Sequence, residues 1–145
     1  MSPIDEAIKQ GQRRYQTARH GLLSLLPASG RENTLNRVRE SLEEFGLAET
    51  SRRLRSDPAQ FGLKGKVAPE GLTRIETACR ELLEARDALD LAISHSPHRD
   101  GPGGRLMAFD GKLARVTRDG EIREIDAPER ERDQDNEDWD QDREP

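Results

Sequence analysis

The chain has 145 residues, 32% hydrophobic and 37% charged, with a net charge of −5; a globular domain usually holds ~45–50% and ~25%. With only three Phe, one Tyr and one Trp, this composition excludes a wide β-sandwich and fits amphipathic helices that share a narrow apolar seam. One Cys excludes an internal disulfide framework, and no apolar run approaches the ~18–20 residues that span a bilayer. The N-terminus is polar from Ser2 and shows no signal-peptide pattern. A cytoplasmic chain without membrane insertion is therefore expected.

The charge is uneven. Residues 1–67 hold 12 Lys/Arg against 8 Asp/Glu, residues 68–95 hold 3 against 6, residues 96–126 balance at 6 and 6, and residues 127–145 hold 3 against 9. The first half is mildly basic and the surplus acid is mostly a tail, which suggests interaction surfaces without naming a partner.

In chain order, Ser2-Pro3-Ile4-Asp5 reads as a helix start, with Ser2 as cap and Pro3 at the first helical position. Ile4, Ile8, Tyr15, Ala18, Leu22 and Leu25 recur at helical spacing, Gly11 is a weak point, and Pro27 ends the segment. Ser29-Gly30-Arg31-Glu32 fits a capping box. After it Leu35, Val38, Leu42 and Phe45 form a seam, Gly46 suits a C-cap, and 47–55 reads as a shorter helix. Pro58 to Phe61 is expected to add one more turn. Pro69 opens the longest helix, 69–95, with a seam of Leu72, Ile75, Cys79, Leu82, Leu89 and Ile93. Arg86 takes a seam position, where its stem can lie on apolar surface while its head reaches a carboxylate or water. Such seams joined by short loops imply an antiparallel bundle over residues 1–96.

Two prolines and three glycines between Ser96 and Gly104 give a linker composition, taken as 97–104. Asp110-Gly111 and Asp119-Gly120 then separate short β-prone runs, which suggests a small meander over 105–126. Residues 127–145 lack any apolar period and are expected to be a disordered acidic tail. Trp139 in that tail is either idle or an anchor of a short motif that binds a basic groove.

No catalytic constellation emerges, and no cofactor is expected. Gly62-Leu63-Lys64-Gly65-Lys66 has the wrong spacing for a phosphate loop, lacks the hydroxyl after the lysine and follows no strand. His95 and His98 are separated by Pro97, which breaks any shared helical face, so no metal site is expected. His20 reads as a surface or helix-flank residue, and Cys79 as a small buried hydrophobe. Arg13, Arg14, Arg52, Arg53, Arg55, Lys64 and Lys66 can make a basic face for phosphates, but aromatic residues for stacking are few.

The stretch Asp57-Pro58-Ala59-Gln60-Phe61-Gly62-Leu63-Lys64-Gly65-Lys66, followed by a long helix with Arg74, Ala78, Leu83 and Ala85, resembles the core of the BID (Bep intracellular delivery) domain. That domain occurs in effectors and conjugative relaxases handled by type IV secretion systems. The resemblance spans roughly residues 1–96; the glycine element is one residue shorter than the family pattern, and the chain ends in acid. It implies an elongated antiparallel helix bundle with a hook, in which Asp57, Pro58, Phe61, Gly62 and Gly65 build the structural loop and Phe61 plugs the bundle end. It also implies a non-catalytic translocation signal recognised by the coupling ATPase through Arg52, Arg53, Arg55, Lys64 and Lys66, with delivery into a recipient or host cell. The alternative is a small regulator or nucleic-acid accessory protein of a mobile element.

Overall fold

A computed structural model of the chain describes residues 3–125. Ser2 as a cap, the side chain of Ile4, and the tail 127–145 with Trp139 lie outside the described residues. Among those described there are three α-helices: α1 (Pro3–Ser24), α2 (Arg31–Ser56) and α3 (Pro69–Ser94). A short 3₁₀ helix (Pro58–Phe61) lies between α2 and α3. A four-stranded antiparallel sheet follows, β1 (Asp100–Gly101), β2 (Gly104–Phe109), β3 (Lys112–Val116) and β4 (Ile122–Glu124), in the order β1-β2-β3-β4. The fold is mainly α, as the seams imply.

The chain forms two compact units. One is Arg14–Ala85; the other joins the residues up to Arg13 with those from Arg86 on. α1 and α3 each contribute to both units.

The Arg14–Ala85 unit is built on helical seams. Tyr15, Leu22 and Leu26 from the first helical region, Leu35, Val38 and Leu42 from α2, and Ile75, Cys79 and Leu82 from α3 share one buried cluster. Two seam expectations fail. Leu25 is more than a third exposed while Leu26 is buried, because α1 ends at Ser24 and the chain has already turned. Phe45 is 44% exposed, because Gly46 leaves helical geometry at φ 86° and bends α2 there. Ser29 does not cap α2 either. Gly30, in a left-handed conformation, is the N-cap and no side chain bonds to it, while Glu32 instead pairs with Arg19 at 2.9 Å.

The second unit has its own core of Ile8, Leu89, Ile93, Leu106 and Leu113. Gly11 is a close-approach point rather than a weak one. A Cβ there would lie 3.2 Å from the Cα of Leu89, so the small residue lets α1 and α3 meet. Gln12 donates from Nε2 to the Gly111 carbonyl at 3.1 Å, which ties the β2–β3 turn to α1. That turn uses Asp110 and Gly111 at φ 51° and 82°, the two positive values of the tight hairpin that an Asp-Gly pair favours. Arg86 turns its head to Asp87 at 3.1 Å.

The expected linker 97–104 is not one. Residues Asp100–Gly101 pair with Gly104–Arg105 as the first hairpin of the sheet. The buried Arg115 secures it: its Nη1 donates to the carbonyls of His98 at 2.6 Å and Gly104 at 3.2 Å. Gly104 has no substitute here, since a Cβ would collide with the Val116 carbonyl and come within 2.9 Å of Thr117 N. The Pro/Gly content thus encodes a tight turn against a neighbouring strand.

Candidate binding surface around the glycine loop

Residues Asp57 to Lys66 leave α2 and return the chain to α3. Asp57 ends α2, with its N–H donating to the Arg53 carbonyl at 2.8 Å. Pro58 cannot continue the helix before it, yet its fixed φ suits the first position of the 3₁₀ helix. The turn directs Phe61 into the core, where it is 2% exposed, and Leu63 follows it there. Gly62 and Gly65 adopt φ 83° and 73°, values that an L side chain reaches only with strain. Arg37 donates from Nη1 to the Gln60 carbonyl at 3.2 Å and Leu63 N–H to the Pro58 carbonyl at 3.2 Å. The loop is therefore held by its own apolar side chains as well as by hydrogen bonds.

The five basic residues expected to bind a partner are not equivalent. Arg52 makes a bidentate contact with Glu49, Nη2 to Oε1 at 2.6 Å and Nε to Oε2 at 2.9 Å. Arg53 donates from Nε to the same Glu49 Oε1 at 2.9 Å, and its guanidinium lies 3.8 Å from the centroid of the exposed Phe45 ring. The hydrogen bonds from Arg52 and then Arg53 hold the Glu49 carboxyl well below the usual carboxylate range, at about 2. Arg55 reaches Glu76 on α3 at 2.8 Å. Lys64 and Lys66 are exposed, and neither is ion-paired with a described residue. The structure thus separates three arginines that share the two carboxylates of Glu49 and Glu76, leaving one net positive charge, from two lysines with no ion pair to a described residue. These pairs are exposed to solvent and screened by it, so the arginines still exchange partners cheaply.

Arg55 and Lys66 border a cleft of about 330 Å³ whose floor is Leu54, Val67 and Leu72. It combines apolar surface with two cationic side chains. Cys79 is buried: burial first, and then the nearby Glu76 charge, push its thiol up to about 12. His20 on α1 and His95, just past the end of α3, are both exposed. Among the described residues no group of three or more His, Cys, Asp or Glu is placed to hold a metal ion, and no helix is long and apolar enough to cross a membrane.

Sequence reasoning missed Glu49, the residue that decides how much of the basic patch is free charge. Its spacing was the available signal: Glu49 stands three and four residues before Arg52 and Arg53, where helical neighbours meet. In comparisons with known proteins, no family model, no curated protein and no solved structure matches this chain.

Proposed function

We propose that this chain is a non-catalytic binding module of the delivery type, a translocation signal recognised by the coupling ATPase of a type IV secretion or conjugation system. The observation that carries the reading is the loop: a buried Phe61 and two left-handed glycines fix its course, and it presents Lys64 and Lys66 as open charges beside an apolar cleft. A preorganised loop lowers the ordering cost of binding, and its charge steers encounter and selects partners more than it supplies affinity. The recognition surface narrows on this basis to Lys64 and Lys66, with Arg52, Arg53 and Arg55 available once Glu49 and Glu76 exchange partners.

The test uses the whole chain fused to a translocation reporter. A cut at residue 104 would strip Leu106 and Leu113 from the second core. Lys64→Glu with Lys66→Glu should leave helicity by circular dichroism unchanged and abolish most transfer into recipient cells. Full transfer by that variant would refute the surface. No transfer by the unmodified fusion, together with salt-dependent binding of the purified chain to DNA, would favour the nucleic-acid accessory role.

A further inference from the structure

The sheet has two unlike faces. Leu106 and Leu113 point into the core with Ile8, Leu89 and Ile93. The other face carries the alternate positions: Arg105, Met107 and Phe109 on β2, paired in register with Val116, Ala114 and Lys112 on β3, and Ile122 and the exposed Glu124 on β4 opposite Val116 and Ala114. Met107, Phe109 and Ile122 are 38%, 43% and 62% exposed. Three large apolar side chains open on one small sheet face are unlike the single scattered ones that a protein surface ordinarily carries.

Three cations stand around this face, Arg105, Lys112 and Arg118, and none of them is ion-paired with a described residue. Arg105 and Arg118 border a cleft of about 490 Å³ over Met107, Val116 and Thr117; Asp100, at its border, is taken up by Arg99 at 3.3 Å.

We infer that this face is the docking site of the chain's own acidic segment 133–142, with Trp139 as the apolar anchor and its neighbouring carboxylates on Arg105, Lys112 and Arg118. The chemistry is complementary. Residues 133–142 read Asp-Gln-Asp-Asn-Glu-Asp-Trp-Asp-Gln-Asp, six carboxylates and no cation around one indole. The connection is short enough: Ile125 donates its N–H to the Leu113 carbonyl at 2.9 Å, so the chain leaves the sheet beside the strand that bears Lys112 and Val116. At ~3.3 Å per extended residue, residues 126–132 reach across strands spaced ~4.8 Å apart. A tether of that length acts as a millimolar local concentration, so one aromatic anchor with charge contacts suffices. A segment without an apolar period cannot build a core of its own, and it can still be ordered by a surface that supplies one. This inference is independent of the delivery function, because it concerns other residues.

Trp139 is the chain's one tryptophan, so its fluorescence reads the contact directly in the full chain. Docking gives an emission maximum blue-shifted from that of the urea-unfolded chain and shielded from iodide, at every protein concentration. Arg105→Glu with Arg118→Glu should return both signals to the unfolded values. Lys64→Glu with Lys66→Glu should leave them in place. Trp139→Ala should shift the Met107 methyl resonance in the folded protein. An emission equal to that of unfolded chain overturns the inference and leaves the face to an outside partner. A blue shift that grows with concentration overturns it in favour of a second copy's tail. A shift indifferent to the Arg105 and Arg118 reversal, or equally sensitive to the Lys64 and Lys66 reversal, overturns it as well.

Discussion

The hydroxyls of Ser41 and Thr50 meet at 2.7 Å across the bend in α2, both buried and each serving as the other's partner. Gly46 turns the helix between them at φ 86°, and the hydrogen bond ties the two arms together from inside. The bend exposes Phe45 and frees it for Arg53. Thr50→Val should cost about 1–3 kcal/mol, since it strands the Ser41 hydroxyl without a partner. The double variant Ser41→Ala with Thr50→Val should recover most of that loss in urea melts. Additive losses would mean that the two hydroxyls do not act as a pair.

Phe61 is a core residue with a loop address. Phe61→Ala should lower unfolding free energy by about 3 kcal/mol, within the usual range for a buried Phe. Urea denaturation of both forms measures it; a difference below about 0.5 kcal/mol, the size of an ordinary surface change, would place the ring outside the core.

Glu49 should titrate far below other carboxylates. Its folded-state value of about 2 lies under the ~4.3 of an unfolded glutamate. What the Arg52 and Arg53 contacts contribute is therefore fully present above that unfolded value and is lost as pH falls through the folded one. NMR titration of the Glu49 carboxyl carbon checks it, and a midpoint at the ordinary value would show that the clamp is open in solution. Arg52→Ala should move the midpoint up, because Arg52 is the largest cause of the depression.

Arg115 should matter more than its place in a small sheet suggests. Arg115→Met leaves the part-buried His98 and Gly104 carbonyls without their guanidinium donor, at a cost of about 1–3 kcal/mol in all. The loss should appear first as faster amide exchange at Leu106, whose N–H bonds to the Arg99 carbonyl at 2.7 Å. Unchanged exchange there would mean that the hairpin holds without the guanidinium.

Much of this molecule was legible in short-range signals. Proline and seam spacing located α1, α2 and α3. The bend at Gly46 was readable as a helix end, and the Asp110-Gly111 and Asp119-Gly120 pairs marked the meander. Phe61, between a helix-stopping proline and two glycines, was readable as a core residue. These features are local, because backbone sterics and a 3.6-residue or two-residue period act within a few residues of their cause. What only the tertiary structure decided involves residues far apart in the chain. Arg115 reaches His98, 17 positions away, and turns an apparent linker into a hairpin. Arg55 meets Glu76, 21 positions away, so a basic run becomes one with two open lysines. Leu25 and Phe45 have the right period for the seam, but the path of the chain around each turns them to water. Periodicity names the side chains able to be buried; the course of the backbone through space determines which of them find a partner.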